Sequence, residues 1–206
     1  LDDGYWGRVN GHDAWIVDIP EVKGGDWDFH QLWVNGARRP RPPRPREGDY
    51  RFGIGSVASG GFETNVNQFV YRGEDMQPTW HNLQDVEVVT CANWITNRMF
   101  IQSVEPEPRR VTLDRYSWRN LTEVYWVENV FEALHEPGQW YLDRALGRLY
   151  LLPRDGERLE EAEIIAPRLA ELVGVAGKAS PVEYLRFEGI TFAHTEWRMP
   201  AAWTKT

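Results

Sequence analysis

Three kinds of side chain in this 206-residue sequence could do chemistry, and their spacing decides how far each can go. The five histidines, His12, His30, His81, His135 and His194, are scattered, with no pair at i, i+2 or i, i+4 beside a carboxylate. Such spacing builds no metal centre. The single Cys91 excludes an internal disulfide framework and a cysteine-based zinc site. The acid clusters Asp26/Asp28, Glu105/Glu107 and Glu160-Glu161-Glu163 could serve glycoside hydrolysis only if the fold set two carboxyls about 5–10 Å apart. As sequence neighbours they read as solvated charge. A G-x-S-x-G elbow and a phosphate loop are both lacking; Gly53-Ile54-Gly55 and Gly60-Gly61 are without the strand-to-helix setting that such loops need. Neither a metal, a cofactor nor a catalytic residue is expected within this chain.

Eleven Trp and eight Tyr are the unusual part of the composition. Exposed, such rings stack on pyranose faces; buried, they fill a β-rich core, and strands favour them in any case. Residues 38–46 set five arginines among four prolines. The prolines forbid helix and force an extended path, which reads as a solvated strand exit. A net charge of −8 and a pI near 5.2 argue against a nucleic-acid surface. Any partner of the arginine run is better matched by an anionic sugar. Asn120-Leu121-Thr122 fits a glycosylation sequon, and Thr122 equally fits a helix cap.

The elements that would hold these groups are mostly strands. Asp143 to Gly147 lies between the apolar runs Trp140–Leu142 and Leu149–Leu152. Asp starts a type I turn and Gly closes a bulged loop, so 139–153 reads as a hairpin bounded by Pro137-Gly138 and Pro153. Asn10-Gly11 and Asn35-Gly36 mark two more turns, the first between Tyr5–Val9 and Ala14–Ile19, the second after Phe29–Val34. Further strands are expected at Val66–Tyr71, Val86–Cys91, Met99–Val104, Arg110–Asp114, Ala162–Ile165 and Leu169–Val173. Trp94 and Arg98 fall on the connection between two of these, and residues 47–84 are otherwise unreadable. One helix is expected over 122–134, from Val124, Val127, Val130, Phe131 and Leu134 at helical spacing.

After Lys178-Ala-Ser-Pro181, the segment Val182–Thr195 carries apolar residues at 182, 184, 185, 187, 190 and 192, broken by Glu188-Gly189. Two short strands in that rhythm are the signature of one parallel β-helix coil, which cannot bury its own face alone. The chain opens on Leu1-Asp2-Asp3-Gly4 without an initiator Met and closes on Trp203–Thr206. An excised piece of a longer protein is therefore expected. No apolar run approaches the roughly 20 residues of a membrane span, so a soluble protein is expected.

Several motifs resemble the middle, inserted domain of bacterial right-handed parallel β-helix proteins, of the kind in glycoside hydrolase family 141 and the pectate-lyase-like superfamily. They are Gln31-Leu-Trp-Val-Asn-Gly-Ala-Arg-Arg-Pro-Arg41, Asp85-Val-Glu-Val-Val89 with Trp94 and Arg98, Val127-Glu-Asn-Val130, and Glu136–Tyr150. The stretch Val182–Trp197 is similar to the coil where the chain rejoins the β-helix. The resemblance covers most of the chain, most specifically 136–153 and 182–197; residues 47–84 match no such pattern. It implies a β-barrel or β-sandwich-like domain with one short helix over 1–178, then the first coil of a parallel β-helix over 179–206. It also implies a secreted or periplasmic parent that hydrolyses glycosidic bonds in plant-type polysaccharide, fucosidase and xylanase activities both being known in the family, with catalytic acids on later coils. A carbohydrate-binding module, or a structural domain shaping a cleft, are the alternatives. His194, Glu196 and Trp197 follow the coil strand and are the candidate substrate contacts: Trp197 to stack a ring, His194 to donate to a hydroxyl, Glu196 to accept from one. The same three could simply close the coil. Trp94, Arg98, Glu128 and Asn129 are expected to fix packing, and a buried Glu128 or Arg98 would need an opposite charge.

Overall fold

The computed structural model describes residues 3–44, 51–52, 55–56, 66–92, 95–117, 121 and 124–197. Its strands are β1 (Tyr5–Val9), β2 (His12–Asp18), β3 (Trp33–Val34), β4 (Ala37–Arg38), β5 (Arg51–Phe52), β6 (Gly55–Ser56) and β7 (Val66–Val70), then β8 (Glu87–Ala92), β9 (Ile95–Glu105), β10 (Arg110–Ser117), β11 (Val124–Glu128), β12 (Trp140–Asp143), β13 (Arg148–Leu151) and β14 (Ile164–Ile165). Every ladder is antiparallel, and the sheets run β1-β2-β13-β12, β5-β11-β8-β9-β10-β7-β6 and β14-β3-β4. The fold is mainly β, as expected. Helix is confined to the four-residue α1 (Pro20–Lys23) and three 3₁₀ turns among the described residues.

The hairpins follow from their turns. Asn10 and Gly11 both take positive φ, 48° and 85°, as do Asn35 and Gly36, 50° and 74°. Two consecutive left-handed residues make a type I′ turn, whose twist matches that of paired strands. In the β12–β13 hairpin the Asp143 carboxylate accepts the Leu146 amide at 2.9 Å, while Gly147 sits at φ 66°.

In the four-stranded sheet, β2, β12 and β13 are buried on both faces, while the edge strand β1 is mostly exposed. Trp15, Val17, Trp140, Leu142, Leu149 and Leu151 share one core with Phe29, Leu32, Val34 and Ile164. Their alternates Ala14, Ile16, Tyr141, Tyr150 and Leu152 face a second core with Leu134 and Phe131. That period-2 split explains why consecutive residues of β12 are all buried.

The seven-stranded sheet encloses a third core, from Phe69, Val88, Met99, Ile101, Val111, Leu113, Tyr125 and Val127. Its edge strands β5 and β6 are separated by only two residues in sequence. Three peptide units span at most about 11 Å, so the sheet must curl until its edges nearly meet. No ladder closes it into a barrel among the described residues.

Four expectations are corrected. Residues 124–128 form β11, paired in register with β8, and not a helix. The β-branched and aromatic residues there alternate, Tyr125 and Val127 inward, and that pattern overrides the coincidental helical spacing. Only Phe131–Ala133 makes a 3₁₀ turn, after Asn129 at φ 64°; Thr122 and Asn120 lie outside the described residues. Arg98 lies within β9 and not on a connection; Trp94 is outside the described residues. Leu169–Val173 forms no strand, and neither do the two runs expected within 182–192. A β-helix coil takes its ladder bonds from neighbouring coils, and none lies among the described residues. Finally, the arginine–proline segment is extended but only partly solvated: Arg39 and Arg41 are 4% and 8% exposed, while Arg38 and Arg44 are exposed.

That segment ties the sheets together. Arg39 N–H donates to Leu32 O at 2.8 Å, and Pro40 O accepts from Trp140 N at 3.2 Å. Pro42 O accepts from Val130 N at 3.2 Å, and Arg44 exchanges both backbone bonds with Val127 at 2.8 and 2.7 Å. The Trp140 indole donates to Arg39 O at 3.1 Å.

Candidate functional site

Where this segment crosses the outer face of β8, β9 and β11, four charges are brought together. The ladder sets Glu128 opposite Glu87, and Val89 opposite Arg98, so Arg98 reaches Glu87 diagonally. Two carboxylates opposed across a ladder repel unless cations intervene. Arg98 from the sheet and Arg41 from the overlying segment supply them. Glu128 accepts from Arg41 Nη2 at 2.8 Å, from Arg98 Nη1 and Nη2 at 3.0 and 3.2 Å, and from the Trp126 indole at 2.8 Å. Glu87 accepts from Arg98 Nη1 at 2.7 Å and from Arg41 Nη2.

Burial alone would raise both glutamates, but the two guanidinium groups more than reverse it; Glu87 falls below its ordinary value and Glu128 drops to about 2. Neither carboxyl carries a proton to give at neutral pH. The pair therefore cannot supply the general acid of glycoside hydrolysis. It is a rigid charged floor.

Above that floor is a cavity of about 400 Å³ walled by His30, Gln31, Arg38, Arg115 and Trp197. The chain end that forms one wall is tied down. Gln31 Nε2 donates to Thr195 O at 3.1 Å, and Glu196 N–H to Leu169 O at 2.9 Å. The Glu196 carboxylate, 4% exposed, accepts the backbone N–H of His30 at 3.0 Å and of Trp197 at 3.1 Å. Trp197 is left 51% exposed on the cavity.

The three candidate contacts are thus placed differently. Trp197 lines the cavity. Glu196 lies behind it as a bracket for His30 and Trp197. His194, at φ 60°, packs edge-on to Trp33 at 5.0 Å and is not part of the wall. Arg98 and Glu128 pair with opposite charges as burial requires, and Asn129 donates to Asp85 O at 3.1 Å. Arg41 carried no local signal, since its partners Glu87 and Glu128 lie 46 and 87 residues away; Glu87 takes its other partner, Arg98, from 11 residues along.

A second hollow, about 450 Å³, lies beside Trp27, Asp28, Asn82, Asp85 and Arg144. Arg144 forks between Asp28 at 3.3 Å and Asp85 at 3.0 Å. Burial raises the Asp85 carboxyl, and Arg144 opposes the rise. The Arg168 guanidinium sits 4.1 Å from the centroid of Trp27 and takes up a face that could otherwise stack a ligand. Elsewhere His81 Nε2 bonds the buried Asp143 at 2.6 Å, and Asp143 also accepts from Asn82 at 3.0 Å. Among the described residues no three His, Cys, Asp or Glu side chains converge as metal ligands.

No family model matches the sequence, and no curated protein matches it at a significant level. Among solved structures, one described as a glycoside hydrolase superposes with a TM-score of 0.66 at 26% identity. The match takes in 98% of this chain and 37% of that one. Nearly the whole chain is therefore similar in fold to rather more than a third of a glycoside hydrolase.

Proposed function

We propose that this chain is the β-rich, non-catalytic part of a carbohydrate-active enzyme that hydrolyses glycosidic bonds in plant-type polysaccharide. The observation that carries this reading is the superposition of 98% of the chain on 37% of a glycoside hydrolase. The locked Glu87–Glu128 pair supports it too, because the most obvious facing carboxylates here have no proton to donate. On this reading the catalytic acids belong to later coils of a right-handed parallel β-helix, in a protein resembling glycoside hydrolase family 141. Residues 1–178 form the inserted domain and 179–206 begin the first coil. The apolar stripe at Val182, Leu185, Phe187, Ile190 and Phe192, each about half exposed, would then face the next coil. The parent would act on polysaccharide outside the cytoplasm, as a secreted or periplasmic protein.

The test is a polypeptide extended beyond residue 206, assayed on fucosylated and xylan-type polysaccharides. Release of reducing ends is expected, with none from residues 1–206 alone. An extended protein that bound these polysaccharides without ever cleaving them would overturn the hydrolase assignment and leave a binding module.

A further inference from the structure

We propose that the cavity between Arg38, the Glu87–Arg98–Glu128–Arg41 floor and Trp197 is a subsite for a sugar carboxylate, a uronate residue of a polysaccharide chain. This deepens the carbohydrate reading above and rests on it. The cavity, at about 400 Å³, falls within the ~300–1,000 Å³ range of small-molecule sites.

Its wall offers three kinds of contact, and a uronate presents the complement of each. The first is a cation. Arg41 and Arg98 are neutralised by Glu87 and Glu128, and Arg115 leans on Asp114 at 3.2 Å. Arg38 is exposed and has no ion-pair or hydrogen-bond partner for its guanidinium among the described residues. A guanidinium matches a carboxylate through two parallel N–H bonds. The second is a flat apolar face, the half-exposed Trp197 indole, held in place by the Glu196 bracket. Sugar rings stack their C–H faces on such indoles. The third is an amide: Gln31 donates one N–H of its Nε2 to Thr195 O, which leaves its carbonyl oxygen to accept from a ring hydroxyl.

One free guanidinium beside a neutralised floor is matched by one carboxylate, the charge that each uronate ring carries.

The experiment is calorimetric titration of the full chain with trigalacturonate and triglucuronate, each as free acid and as methyl ester, with xylotriose as the neutral control. At least one free acid is expected to bind saturably and to lose about tenfold or more in affinity on esterification. Arg38→Gln should bring the acid down to the affinity of its ester while leaving the ester unchanged. Trp197→Ala should weaken acid and ester alike. Both side chains are exposed, so neither change removes core packing; near-ultraviolet circular dichroism checks that the fold is kept. Equal binding of acid and ester, or an Arg38→Gln chain that binds the acid like wild type, overturns the carboxylate subsite and leaves the carbohydrate reading standing. Silence with every acid also overturns the subsite, while hydrolysis by the extended polypeptide is decided separately.

Discussion

Glu128 shows how a residue can look catalytic and be structural. Its carboxylate takes four hydrogen bonds from Arg41, Arg98 and Trp126. Its folded pKa, about 2, lies below the ordinary 4.5, so its contribution to stability is complete above about pH 4.5 and is lost as pH falls toward 2. A depression of that size corresponds to on the order of 3 kcal/mol. Urea midpoints measured across that range should fall for the native chain and fall less for Glu128→Gln; parallel curves would sink the assignment. Removing one partner while its counter-charges stay buried is worse than removing a surface pair. Arg41→Met is expected to cost about 3–5 kcal/mol in urea denaturation, whereas Glu21→Gln, which breaks the exposed Arg168–Glu21 contact, should leave the urea midpoint nearly unchanged.

At the scale of elements, two glycines in hairpin turns make a direct comparison. A Cβ on Gly147 would come 2.7 Å from Ile19 O and 2.9 Å from Lys23 N, at φ 66°. One on Gly11 would meet nothing within 4 Å at φ 85°. Gly11→Ala is expected to cost about 1 kcal/mol of backbone strain, and Gly147→Ala distinctly more because backbone must also shift. Thermal denaturation of the two variants checks the order. The three hairpins were legible in the sequence because Asn-Gly and Asp–Gly turns are chosen by local φ preferences. The segment 124–134 was misread because Val124, Val127, Val130, Phe131 and Leu134 satisfy a helical period while Tyr125 and Val127 satisfy a strand period. The ladder to β8 decides between them, and that ladder is non-local. The arginine–proline run was legible as extended, since proline acts on its own φ. It was illegible as buried, since Glu87, Glu128 and Glu157 reach it from 46, 87 and 118 residues away. Of the candidate site, Trp197 was visible as an aromatic on the tail, and Arg98 and Glu128 as groups that need an opposite charge, but not their meeting with Arg41 and Glu87 in one floor.

At the scale of the whole molecule, the described strands divide among an outer four-stranded sheet, the small β14-β3-β4 sheet and the curled seven-stranded sheet inserted between β4 and β12 in sequence, with residues 39–44 bonded to both of the larger sheets. Among the described residues, exposed apolar side chains are concentrated from Leu169 to Phe192. Backbone amides over 182–192 are expected to exchange with solvent fast in residues 1–206 and to become protected in the polypeptide extended beyond 206; fast exchange in both would count against a following coil. The order of the outer sheet carries a further consequence, this time for synthesis. Its middle ladder joins Trp15–Asp18 to Arg148–Leu151. A ribosome must therefore make more than a hundred further residues before β2 acquires its second neighbour, while β8, β9 and β10 pair with strands made moments earlier. Nascent chains stopped short of residue 148 should protect amides of 87–117 and leave those of 12–18 open on their β13 side. For that interval the N-terminal hairpin, with Trp15 and Val17 uncovered, is the part of the newborn protein most exposed to chaperones and to aggregation.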